Sequence, residues 1–267
     1  MRLLVPSMAG HSGGLRAATL LAIILGAIAW GVALPPMTQV QEYHRFADAR
    51  SFLGVPNAGD TLSNLAFLWV GAMGLAFLWR ERAQGRSPRF ESPRERLPYW
   101  VFFAGVALTS AGSAWYHLAP DDARLVWDRL PMTVAFMSLV AAVAGERVSP
   151  RWANLLLWPL VLAGLASVAY WRWSALAGFE NLRPYLAVQF GAIAVVLAMA
   201  GLYRSRYTRG AAIYALAAAY GLAKVFEVED RALYELGLGV SGHTLKHLAA
   251  AAGIWVLLRA LERRTRR

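Results

Sequence analysis

Leu65-Ala-Phe-Leu-Trp69-Val-Gly-Ala-Met-Gly74-Leu-Ala-Phe-Leu-Trp79 contains no charged residue and no proline. Its apolar residues form a block rather than a stripe, so a helix through it is apolar on every side. Such a helix belongs either in the centre of a large core or in lipid. Working outward, comparable blocks lie near 17–36, 61–79, 98–117, 130–145, 153–171, 184–203, 211–226 and 243–261. Each is about long enough to cross ~30 Å of hydrocarbon as helix. The chain as a whole is 58% hydrophobic with a mean hydropathy of +0.41, which fits a membrane protein. A membrane barrel would show ten-residue alternation, whereas these blocks are rich in Leu, Ala and Gly throughout. The expected fold is therefore all-α, a polytopic membrane helical bundle with a seven-helix core and one extra N-terminal span. Residues 1–40 read as a tail and anchor span, and 41–267 as the seven-helix domain. Gly31-Val32-Ala33 also offers small residues for signal-peptide cleavage, but the sixteen-residue leader is long for that role, and a retained anchor is expected.

The net charge of +11 does not call for nucleic acid, because the basic residues fall in alternate loops. The N-terminal tail, 80–96, 146–152, 203–210 and the end from Arg259 hold 18 of the 27 Lys and Arg, with a net charge of +13. The segments 37–60, 118–129, 172–183 and 227–242 hold 7, with a net charge of −4. By the positive-inside rule both termini are cytoplasmic and the acidic loops exported.

This orientation places three histidines together. His117 ends an outward-going span, and His243 and His247 begin an inward-going one. With no cysteine in the chain, any metal must take nitrogen and oxygen ligands. His243 and His247 share a helix face, four residues apart. A third imidazole at the same depth completes a set suited to tetrahedral Zn²⁺ with an open fourth position. A lone histidine in a span is more often a helix–helix hydrogen-bond partner than a ligand. Three at one boundary, with Ser113 and Asp128 beside them, point to function, since polar groups in spans are costly. Asp128, eleven residues after His117, begins the returning span and could face the same metal, or cap that helix.

The stretch Ser113-Ala-Trp-Tyr-His117, the run Trp127-Asp128-Arg129-Leu130-Pro131-Met132 and the pair His243-Thr-Leu-Lys-His247 resemble the alkaline ceramidases. The wider superfamily of seven-span membrane hydrolases also includes the adiponectin receptors and haemolysin-III-like proteins. The resemblance covers about residues 45–261, and Asp60-Thr-Leu-Ser63-Asn64 favours the ceramidase branch. It implies zinc held by His117, His243 and His247, Asp128 as general base and Ser113 as oxyanion donor, cutting the amide of ceramide or a related membrane lipid. It also implies a calcium site ahead of the first core helix. Glu42, Asp48, Asn57 and Asp60 lie there, with Asn57 where the family carries Glu; Asp48 and Asn57 are the calcium candidates.

Lys224, Glu227, Asp230 and Lys246 are expected to form an ion-pair network behind the histidines, with Glu229 and Glu235 as solvated loop charge. Trp171-Arg172-Trp173 and Phe102-Phe103 read as interfacial belt or core. Two rival functions are a receptor-like protein with structural zinc, and a metal or proton transporter. The latter would need polar groups continuing through the bilayer, and the cytoplasmic halves of the spans are largely apolar.

Overall fold

The computed structural model describes residues 9–83, 87–237 and 239–267; the first eight residues of the N-terminal tail lie outside the described residues. The chain runs through α1 (Ala9–Val32), a 3-10 turn (Gln41–His44), α2 (Ala58–Leu62), α3 (Leu65–Ala83) and a second 3-10 turn (Pro93–Glu95). It continues through α4 (Arg96–Leu118), α5 (Asp122–Arg147), α6 (Pro150–Leu176), α7 (Arg183–Leu202), α8 (Ala212–Val228), α9 (Asp230–Glu235) and α10 (Gly242–Arg263). Among the described residues the only β pairing is two isolated bridges, Phe52 with Val55 and Tyr207 with Arg266. The fold is an all-α helical bundle of the expected class.

Among the described residues, seven segments are long and apolar enough to cross a membrane: α1, α2 with α3, α4 with its leading turn, α5, α6, α7 and α10. These fit a multi-pass membrane protein. The remaining expected span, α8, has 17 residues, about 25 Å of axis and thus short of the hydrocarbon thickness. The exterior carries large apolar side chains such as Leu68, Leu108, Leu155 and Leu162, the reverse of a soluble surface. The aromatic pairs are divided by depth. Trp171, Phe102 and Phe103 are core, and Trp173 is exposed.

Helix ends depart from expectation where sequence chemistry intervenes. α1 stops at Val32 because Pro35-Pro36 follow, and a residue preceding proline avoids helical ψ. α5 starts at Asp122, eight residues before the apolar block at 130. Asp121 is its cap, accepting from Arg124 N at 2.7 Å. Asp128 therefore lies in the second turn of α5 instead of at a span boundary, and the capping role belongs to Asp121.

α5 is the central element, packed against α4, α6 and α7, and its second half from Ala135 contributes most to the core. α10 pairs with α8 and touches α3, while α1 packs on α7 alone among its principal neighbours. α7 and α8 touch each other little. Segment 37–57 crosses one end of the bundle as a strap tied to several elements. Leu182 N donates to Met37 O, Gln39 N to Glu180, Tyr43 Oη to Glu227, and Ala47 N to Asp230. His44 sits between Tyr116 Oη at 2.8 Å and Asp122 at 3.0 Å.

Candidate metal centre

Two close backbone approaches build the site. A Cβ on Gly112 would lie 2.1 Å from the Trp127 carbonyl oxygen, so glycine lets α4 and α5 touch there. That contact brings Ser113 and His117 to the level of Asp128. A Cβ on Gly242 would meet Phe226 O at 2.3 Å and Asp230 Cα at 2.7 Å, so the start of α10 is seated on the end of α8. The α10 N-terminus is then fixed by hydrogen bonds: Ser241 Oγ accepts from Thr244 N at 2.9 Å, and Asp230 accepts from His243 N at 2.8 Å. Asp60 Oδ1, on α2, accepts from both Ser241 Oγ and Thr244 Oγ1 at 2.7 Å. The Asp60-Thr-Leu-Ser63-Asn64 motif is thus the seat of the last helix.

His117, from the last turn of α4, meets His243 and His247, from the first two turns of α10. Their ring centroids are 4.7, 5.1 and 4.9 Å apart, and each residue is at most 3% exposed. One nitrogen from each lies within 4.8 Å of the others, and among the described residues this is the one such His/Asp/Glu group able to hold a metal ion. Two of these imidazole nitrogens, His117 Nδ1 and His243 Nε2, are buried without a hydrogen-bond partner. An orphaned nitrogen in an apolar interior is costly unless something binds it. Three converging imidazoles, two of them with unpartnered nitrogens, therefore fit a metal ion.

His247 has a defined partner. Its Nδ1 is 2.8 Å from Ser63 Oγ, which also donates to Asp60 O at 3.0 Å. A hydroxyl has one proton, and with that proton on the Asp60 carbonyl the Ser63 oxygen accepts from Nδ1–H. The lone pair of His247 is then on Nε2. This is the arrangement of an oriented metal-binding histidine. Phe46 of the strap covers the cluster, its ring 4.6 Å from His117 and 4.5 Å from His243. Nothing in the sequence marks Phe46 or Ser63 as a neighbour of the histidines, because both contacts join distant segments.

Asp128 is buried and stands outside the 4.8 Å histidine group. Ser113, on α4, is buried as well. Both border a cavity of about 330 Å³ that also takes in His247 and continues past Phe136, Ile193 and Ile254. A small polar end and a long apolar body suit an amphiphile.

The expected charge network forms in two pieces. Glu227 accepts from Lys224, and from Lys246 at 3.1 Å, while Tyr43 adds a third bond. Asp230 instead joins the strap at Ala47 to the backbone of His243. Glu229 and Glu235 are exposed. Of the calcium candidates, Asp48 spends its two oxygens on Arg50, at 2.8 and 2.7 Å. The Arg50 guanidinium holds the Asp48 carboxyl below the usual carboxylate range. Asn57, in the left-handed region with φ of 45°, donates its amide to His117 O at 2.7 Å. It ties the strap to the end of α4.

Compared with protein-family models and with curated proteins, the sequence matches none.

Proposed function

We propose that the protein is a zinc-dependent membrane hydrolase that cleaves the amide bond of ceramide or a related lipid amide. The carrying observation is the triad of buried histidines, two of them with unpartnered nitrogens, of which His247 borders an apolar cavity also lined by Asp128 and Ser113. His117, His243 and His247 would hold the ion, and Ser63 orients the third of them. A bound zinc ion supplies Lewis acidity, polarising the scissile carbonyl and making water acidic enough to ionise near neutral pH. Asp128 takes the proton of the attacking water as the C–O bond forms and then delivers it to the nitrogen, so that the C–N bond breaks with the amine as leaving group. Ser113 donates to the oxygen of the carbonyl as charge gathers on it. The lipid chain occupies the apolar length of the cavity, and the little-packed seam between α7 and α8 offers a lateral way in. The charge asymmetry of the loops supports an orientation with this end of the bundle on the exported side and both termini in the cytoplasm.

The test is turnover of ceramide and related lipid amides by the purified zinc-loaded protein and by Asp128→Asn. The substitution preserves size and leaves the histidines alone, so zinc content should hold while kcat falls ~10²–10⁴-fold. A wild type that cleaves no lipid amide across a broad panel, or an Asp128→Asn variant as fast as wild type, sinks the hydrolase reading. Structural zinc in a receptor-like protein would then account better for the histidines.

A further inference from the structure

Among the cations bordering the cavity, Arg129 is the one in no described ion pair. It is 5% exposed and lies one residue beyond Asp128 on α5. Its Nη2 donates to the neutral Gln39 Oε1 at 2.6 Å, while Nη1 is buried with no hydrogen-bond partner. Aromatic rings surround the guanidinium, with Cζ 4.3 Å from the Trp171 centroid, 4.6 Å from Tyr185 and 5.9 Å from Tyr43. The other two cations of the cavity, Lys224 and Lys246, share Glu227. No carboxylate pairs with Arg129 among the described ion pairs.

A buried guanidinium that makes no ion pair is costly, and the field of the neighbouring Asp128 and stacking on Trp171 and Tyr185 offset only part of that cost. The rings fix the plane of the group and Gln39 occupies one edge, leaving Nη1 for an acceptor from the cavity. Carboxylate oxygens are the acceptors that a fixed guanidinium binds best. Asp128, which in the proposed reaction serves the amide nitrogen, is the adjacent residue and borders the same cavity. The anion therefore belongs on the amine side of the substrate, a few bonds from the scissile nitrogen.

We infer that Arg129 is a specificity-determining residue that binds a carboxylate on the amine portion of the lipid amide, making an N-acyl amino acid a better substrate than a neutral amide. The inference rests on the hydrolase reading for turnover, but ligand binding tests it separately. The paired probes are N-palmitoylglycine and N-palmitoylethanolamine, which share the acyl chain and differ in the carboxylate. With wild type, kcat/KM should favour the glycine conjugate by about 10–100-fold, the usual worth of a charge-assisted bond. Arg129→Gln should bring that ratio close to one, and Arg129→Lys should keep part of it.

Equal efficiency on the two amides in wild type, or an equal loss on both in Arg129→Gln, would make Arg129 a structural group; the proposal would fall and the amidase reading stand. If wild type cleaves neither, the amidase reading fails, and calorimetric binding to the metal-stripped protein decides the inference. There N-palmitoylglycine should bind at least about tenfold more tightly than the ethanolamide, and Arg129→Gln should abolish the difference. Palmitate is the third ligand: a loss of palmitate affinity in Arg129→Gln as large as that for N-palmitoylglycine would assign the cation to the released acid and overturn the amine-side placement.

Discussion

At the scale of single residues, the histidines divide by what holds them. His247 is oriented by Ser63, whereas His117 and His243 are held by packing against Phe46 and each other. Purified protein should hold about one zinc per chain, and His243→Ala or His247→Ala should reduce occupancy sharply, measured by metal analysis after dialysis. Full retention in both variants would remove them from the ligand set. Ser63→Ala deletes only the orienting oxygen, so zinc should still bind but ~10–100-fold more weakly in a chelator competition. Unchanged affinity would mean that packing alone sets the ring. The grouping of the three histidines was legible in the sequence because they fall at helix ends with helical spacing, whereas Asp128 lies inside α5 and not at the expected boundary. Ser63 and Phe46 were not legible, since a hydroxyl 184 residues from its partner, or one more phenylalanine, leaves no periodic trace.

At the scale of elements, the sequence told helix from strand and located the apolar blocks, yet it misplaced ends wherever polar residues continue a helix. α5 is the clearest case. Its first two turns contain Asp122, Arg124, Asp128 and Arg129, which hydropathy reads as loop, but Asp121 caps them into helix. Asp128 is consequently positioned by a rigid element, which suits a group that must hold a fixed distance from its partners. The rigidity depends on the contact at Gly112. Gly112→Ala should lower thermal stability in detergent by about 1–3 kcal/mol through overpacking against the Trp127 carbonyl. It should also cut turnover by moving α4 relative to Asp128. A variant as stable and active as wild type would show that the two helices separate freely. The strap was invisible beforehand for a related reason: segment 37–57 has no amphipathic pattern, and its order comes from bonds to distant groups such as Glu180, Glu227 and Asp230.

At the scale of the whole molecule, the two ends of the bundle are built differently. The metal end carries histidines and acids under the strap. The opposite end carries a buried ionic cluster in which Glu146 accepts from Arg264 at 2.8 Å, Ser205 at 2.7 Å and Tyr99 at 3.2 Å. Arg206 pairs with Glu95, and Arg147 donates to three backbone carbonyls. The sequence registered these arginines only as loop charge, because burial of a charge depends on partners from other segments. The absence of cysteine makes the orientation testable with single introduced thiols. Cysteines at 123 and 235 should label from outside cells with an impermeant reagent, and those at 94 and 209 should not. The opposite pattern would put the metal end in the cytoplasm.

The placement of two histidines on α10 also bears on how the protein is made. A ribosome delivers this helix after the other described helices, so they are all synthesised while the nascent chain carries only one of the three imidazoles. The ion cannot act as a nucleus for the bundle during synthesis. The α2–α3 junction, with Asp60 awaiting Ser241 and Thr244, must already be in place as a receptacle. Any metal held by the three histidines would therefore be loaded only after α10 is made, and a chain ending before His243 should be unable to hold it.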